Sequence, residues 1–291
     1  MTSTIKIILF FVVSLIANTL SAQSEDSNSS FVKFVAGSGE WQGELQTAIV
    51  SYENSDGVIV DLVSAVHLGE VEYYAELNDY FKQQDAVLYE LVAYEDDRPS
   101  PETVIENVSA VSFLQRTLGN FLDVSFQLEQ IDYSPENFIH ADLNPDELMQ
   151  IMEEKNENFF SMFLSLATAQ LASEQAAMQQ GEAPTSFTML AIVNALLAED
   201  QTAAFKYLFA EELGRSDGLI VGPELENQIT ILGDRNRVAL QVLGKSLKDP
   251  SYRKISIFYG AAHMPGIERE LFSSFDFERT EQSWVTAWKM P

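Results

Sequence analysis

No cysteine occurs among the 291 residues. That excludes disulfides, thiolate metal ligands and attachment of a lipid through cysteine. Lysine and arginine are scarce as well, 17 against 44 aspartates and glutamates, and the formal net charge is −27. A surface of that sign repels phosphate backbones and anionic membrane faces, so nucleic acid is not an expected partner. The bland reading is a solvated acidic surface, and the sharper one is attraction of cationic substrates or metal ions. Several motifs are also missing. There is no Gly-x-Ser-x-Gly elbow, no phosphate-binding P-loop, no Gly-x-Gly-x-x-Gly and no His-Glu-x-x-His. A serine α/β-hydrolase, a P-loop nucleotidase, a dinucleotide-binding enzyme and a zincin therefore lack their signatures. His67-x-x-Glu70 is half of a zincin signature, and a first-turn helical glutamate explains Glu70 better.

Hydrophobic residues make up 46% of the chain, an ordinary share for a globular protein. Residues 1–22 have the layout of a secretory signal. Lys6 supplies a charge, Ile7 to Ile16 is apolar, and small residues at Ser21 and Ala22 mark an expected cleavage point. The apolar run is about half of the roughly 20 residues that a membrane span needs, so no stable anchor is expected after cleavage. The expected location is periplasmic or secreted. The remainder, 23–291, reads as a single domain.

Along that domain, Phe31–Val35 and Leu45–Tyr52 read as strands, with a turn at Asp56-Gly57. Val58–Val66 is nearly continuously apolar, as in a strand buried on both faces. Glu70–Gln83 has helical spacing and Asp85–Val92 is a second buried strand. Ser100-Pro101 reads as a helix start. From about residue 100 to 232 the pattern is a long, mostly helical insertion. Within it Asn144-Pro-Asp-Glu147 marks a helix start, Phe159–Leu171 a buried helix, and Gly181 to Pro184 a break. Further helices are expected over Ser186–Leu197, Thr202–Leu213, Asp234–Leu247 and Ile267–Phe272. A loop is expected over Gly214–Gly222, and strands over Ile255–Tyr259 and Ser283–Trp288. The predicted fold class is therefore α/β, a mixed sheet built from two βαβ-like units flanking the insertion. Each unit carries a histidine at the carboxyl end of its first strand, where α/β sheets bind ligands.

The three histidines are His67, His140 and His263. His67 lies in Ser64-Ala-Val-His67-Leu-Gly69 and His263 in Gly260-Ala-Ala-His263-Met-Pro-Gly266, where small residues allow a close approach. A lone histidine of this kind is more often a hydrogen-bonded core residue than a ligand, and the repeated context of these two argues for function. Glu90, in Leu88-Tyr-Glu90-Leu-Val92, is flanked by apolar residues and needs a metal or an arginine as partner. Arg235 opens a helix, where its charge opposes the macrodipole, so a specific partner is expected. That partner is Glu90, a substrate carboxylate or a developing oxyanion.

These segments taken together resemble the TraB/PrgY/GumN family, which includes the Tiki proteins. Gly260-Ala-Ala-His263 matches the second Gly-x-x-His motif, and Ser64-Ala-Val-His67 matches the first with Ser64 in place of glycine. Leu88-Tyr-Glu90 matches the acidic strand end, and Gly233-Asp-Arg235-Asn236 the Gly-Asp/Glu-Arg segment. The order and spacing agree over Trp41 to Trp288. The resemblance implies an α/β fold shared with erythromycin-esterase-like and haem-binding ChaN-like proteins. For Tiki members it implies metal-dependent peptidase activity with manganese or cobalt favoured, and for PrgY-like members interception of signalling peptides.

The expectation that follows is one divalent ion, Mn, Co or Zn, held by His67, Glu90 and His263, with His140 or Asp142 as a further ligand. Glu90 and Arg235 are the expected catalytic pair, with Arg235 and Ser64 toward the substrate, a peptide or a small molecule. The other reading is a non-catalytic protein that sequesters a signalling peptide or small ligand in the same cleft.

Overall fold

A computed structural model describes residues 30–94, 98, 119–157, 189–215 and 230–291. The signal-like leader, the Ser100-Pro101 helix start, the Phe159–Leu171 helix, the Gly181–Pro184 break and most of the Gly214–Gly222 loop lie outside these residues. The described part is a mixed α/β structure around one seven-stranded sheet, with a small two-stranded ribbon beside it. No helix among the described residues is long and apolar enough to cross a membrane.

The sheet begins with antiparallel pairings. Strand β1 (Val32–Ala36) pairs antiparallel with β2 (Gly43–Glu53), which pairs antiparallel with β3 (Ile59–Ala65). The hairpin between β2 and β3 closes as Asp56-Gly57 predicts. Gly57 takes a φ of 71°, open to it because it has no Cβ. The side chain of Asn54 accepts from Asp56 N at 3.1 Å and Val58 N at 2.9 Å, closing the turn from within. Strand β3 is buried along almost its whole length, the consequence of its apolar run. The ribbon strand β4 (Leu68–Gly69) and helix α1 (Val71–Phe81) follow, with Tyr73, Tyr74, Leu77 and Phe81 buried. Strand β5 (Ala86–Tyr89) is shorter than the Asp85–Val92 run suggests, because the chain leaves the sheet at Glu90.

After the ribbon strand β6 (Ser125–Phe126) and the single turn α2 (Gln127–Gln130) comes β7 (Phe138–His140), which pairs parallel with β5. Three residues are too few to carry a period-2 signal, so the sequence does not announce this strand. Helix α3 (Pro145–Glu154) starts with both bonds of a capping box, Asn144 Oδ1 accepting from Glu147 N and Glu147 Oε2 from Asn144 N. The helix ends at Glu154, and Asn156 turns the chain at a φ of 54°. Helices α4 (Met189–Leu197) and α5 (Gln201–Arg215) follow, and α5 packs on β1 and β2.

The remaining elements complete the sheet. Helix α6 (Arg235–Ser246), entered through a π-helical turn over Thr230–Asp234, leads to β8 (Lys254–Gly260). Strand β8 inserts between β3 and β5, parallel to both. Helix α7 (Met264–Ser274) then leads to β9 (Glu278–Met290), longer than Ser283–Trp288. The second unit departs from the expected pattern here. Strand β9 does not return beside β8; it runs antiparallel along β2 from Gly43 to Glu53. Each edge of β2 accepts one line of neighbours, so β9 takes one edge while β1 and β3 share the other. Only the first unit, β3 to β5, is a parallel crossover, and β8 fills the space between its two strands.

Candidate functional site

The register of two strands builds the site. Ala65 and Gly260 are paired at the ends of β3 and β8. The chain leaves both strands at one level, with His67 two residues and His263 three residues further on. The third strand of this group, β5, ends at Tyr89, and Glu90 N donates to Phe258 O at 3.0 Å. Glu90 thus emerges beside β8 at the same carboxyl-end edge.

The residues converge on Gly260. A Cβ on Gly260 would sit 3.3 Å from Glu90 Oε2, 3.7 Å from His67 Nε2 and 3.8 Å from His263 Cδ2. Glycine at this position leaves the centre of the cluster open, which is the physical content of the Gly-x-x-His spacing. His67 is exposed, and Glu90, Arg235 and His263 are buried behind it.

Glu90 is held from three sides. Its Oε2 accepts from Gly260 N at 2.6 Å. Its Oε1 lies 2.8 Å from Arg235 Nη2 and 3.4 Å from His263 Nε2. Arg235 also forks onto Asp142, with Nε 2.9 Å from Oδ1 and Nη2 2.5 Å from Oδ2. Two buried carboxylates therefore share one buried guanidinium. Asp142 additionally accepts from Leu143 N at 2.8 Å through Oδ1. Tyr259 closes the floor by donating its hydroxyl to Ala141 O. Burial pushes the Glu90 carboxyl up, but Arg235, then His263 and His67, outweigh it and hold the group well below the usual carboxylate range. Burial works against the Arg235 charge too, and the Glu90 and Asp142 carboxylates overcome it, so the guanidinium stays protonated. Burial, then Asp142 and Glu90, push the Tyr259 hydroxyl up, leaving it a neutral donor.

Both site histidines are anchored through Nδ1 by an amide. His263 Nδ1 lies 2.6 Å from Asn236 Oδ1, and Asn236 Nδ2 reaches back to His263 O at 3.4 Å. His67 Nδ1 lies 3.2 Å from Gln127 Oε1, while Gln127 Nε2 donates to the Tyr133 hydroxyl at 3.0 Å and Gln127 N to His67 O at 2.9 Å. An amide oxygen only accepts, so each ring donates from Nδ1 and turns Nε2 toward the Gly260 opening. The contact between His263 Nε2 and Glu90 Oε1 is attractive when a proton or a metal cation sits at Nε2, the state in which His263 lowers the Glu90 carboxyl. Asn236 entered the sequence reading only as the last residue of Gly233-Asp-Arg235-Asn236, with no role, and Gln127 did not enter it. The position of Asn236, next to Arg235 at a helix start, is the one signal that could have marked it; Gln127 carries none.

Other expected members do not join. His140 is half-buried, its Nε2 lies 2.7 Å from Leu91 O, and its ring packs against Tyr89. It sits in β7, where pairing with β5 directs it to that carbonyl. Ser64, expected toward the substrate, is fully buried within β3, and its backbone carbonyl accepts from the Tyr73 hydroxyl at 3.3 Å. Arg235, expected as a clamp on substrate, is committed to Glu90 and Asp142. Asp142 is therefore an arginine partner, not a further ligand. Glu70 stands at the N-cap position of α1, one residue before the first turn in which the sequence reading put it, makes no side-chain cap, and pairs with Lys206 at 2.8 Å.

Among the described residues no group of three or more His, Asp or Glu side chains is gathered to hold a metal ion. The reason is visible at Glu90, whose oxygens are taken by Arg235 and the Gly260 amide. The chemistry of the remaining donors does suit a borderline divalent ion: two imidazoles face one opening, each with its other nitrogen hydrogen-bonded, as metal-bound histidines are. The residues thus fit an ion held by His67 and His263 with Glu90 beside them, rather than a closed three-ligand set.

The ionised Glu90 makes stability depend on pH in a definite direction. Its folded value lies below the ordinary 4.5, so its contribution is complete above about pH 4.5 and is lost as the pH falls below that. The difference in urea midpoint between the parent protein and Glu90→Gln is expected to shrink from pH 7 toward pH 3. A difference that stays constant across that range contradicts the assignment.

No protein-family model matches the chain, and a search of curated proteins returns no match.

Proposed function

We propose that this protein is a metal-dependent hydrolase of amide bonds, of the TraB/PrgY/GumN (Tiki-like) type, exported to the periplasm or beyond. The observation that carries this reading is the meeting of His67, Glu90 and His263 around Gly260 at the carboxyl ends of parallel strands. An arrangement shared with erythromycin-esterase-like and ChaN-like proteins is part of the same proposal.

In this reading His67 and His263 would hold a divalent ion, Mn, Co or Zn, with Glu90 beside them. Such an ion, when bound, would supply an acidified water and Lewis-acid polarisation of the scissile carbonyl. Gln127 and Asn236 keep the two rings turned with Nε2 toward the opening. Arg235 and the Gly260 amide keep Glu90 ionised and immobile, so its charge stays beside His263 throughout. Exposed His67 is the first of these groups that a peptide or small-molecule substrate meets. The buried floor of Tyr259, Asp142 and Arg235 keeps water from behind the cluster.

A second reading has its own support. Glu90 and Arg235 satisfy one another, which suits a protein that sequesters a peptide without turnover. Untagged protein assayed on peptide and ester substrates with added Mn, Co or Zn separates the two. Turnover that a chelator abolishes and the metal restores supports hydrolysis. Stoichiometric peptide binding without turnover, with no metal retained, overturns it in favour of sequestration.

A further inference from the structure

Helices α6 and α7 line an open groove of about 670 Å³, and Asn236 is the lining residue it shares with the Gly260 cluster. Its charge is opposite to that of the molecule. Arg237, Lys245, Lys248 and Arg269 line it, with Glu270 as the only carboxylate among the lining residues. Acids outnumber bases 44 to 17 over the whole chain, so a patch with four cations and one acid reverses the global balance.

The cations are not all balanced internally. Arg237 pairs with Asp234 at 2.8 Å, and Arg269 Nη1 donates to Pro265 O at 3.2 Å. Lys245 and Lys248 are exposed and make no ion pair with any described residue. Lys245 lies in the last turn of α6, where the helix dipole favours a cation. The dipole does not account for Lys248, which lies beyond the helix end, or for the concavity. Two apolar side chains stand among the charges. Leu240 and Phe275 are half-buried and pack on the core while still lining the groove.

We infer that this groove is a binding site for a small amphiphilic anion, a phosphate or carboxylate joined to an apolar body. Lys245 and Lys248 meet the anionic head, and Leu240 and Phe275 take the apolar part. The volume is that of a small-molecule pocket. A purely inorganic anion leaves the apolar wall unused, and a neutral amphiphile leaves two lysines unmatched.

Calorimetric titration of the full chain with octyl phosphate, octanol and inorganic phosphate tests this. Octyl phosphate is expected to bind at least about tenfold more tightly than either of the others. The double variant Lys245→Glu/Lys248→Glu, at exposed positions that leave the core intact, is expected to weaken octyl phosphate by at least about tenfold. No binding of octyl phosphate at millimolar concentration overturns the site. Equal binding by the double variant overturns the role of the lysines. Inorganic phosphate binding as tightly as octyl phosphate overturns the amphiphilic ligand.

Discussion

His67→Ala is expected to fold with the parent's stability and to lose about 10²–10⁴-fold in hydrolytic kcat/KM. The two halves of this result rest on different observations. His67 is exposed at the end of β3, and the side-chain hydrogen bond of its ring reaches Gln127. Surface substitutions of that kind change stability by about 0.5 kcal/mol or less. The same ring turns Nε2 toward Gly260, into the opening that Glu90 and His263 share. Its removal takes away the accessible half of the histidine pair and leaves the buried half in place. Paired denaturation curves and initial rates on one substrate check both halves together. Unchanged turnover in a normally folded His67→Ala protein would falsify the catalytic reading. His67→Gln, which keeps a polar side chain of similar reach, is expected to restore little of the rate, because an amide does not supply an imidazole Nε2.

Arg235→Ala is expected to behave in the opposite way and to destabilise the protein by about 3–5 kcal/mol. Two buried carboxylates, Glu90 and Asp142, share this one guanidinium. Deleting it leaves two buried charges without their cation. The protein can respond only by protonating one of them or by opening the site. The loss is therefore expected to be greatest at neutral pH and to ease as the pH falls into the carboxylate range, a direction that urea titrations at several pH values read directly. Arg235→Lys is expected to recover part of the stability. An ammonium keeps the charge but cannot form the fork that places Nε and Nη2 on Asp142 while Nη2 also reaches Glu90. A fully stable Arg235→Ala protein contradicts the assignment of Arg235 as the partner of these acids.

The sequence carried the site further than the insertion. Strand β3 and the β8 segment are legible as apolar runs because both are buried on two faces, and their trailing histidines stand out against such neighbours. The need of Glu90 for a partner follows from the cost of burying a carboxylate among apolar residues, and the capping box at Asn144 is local chemistry that tertiary contacts do not alter. Strand β7 was not legible, since its three residues become a strand only through pairing with β5.

What the sequence determined alone was local: where apolar segments begin and end, which of them carry a histidine or an acid at the edge, and that Arg235 needed an anion. Which acid it met, and that it met two, was decided by tertiary structure, because Asp142 is far from Glu90 and Arg235 in the chain and reaches them only when β7 lies beside β5. The course of β9 was decided in the same way. A strand's pattern states which face is buried, while its neighbour depends on which sheet edge is still open, and β8 had already been enclosed between β3 and β5.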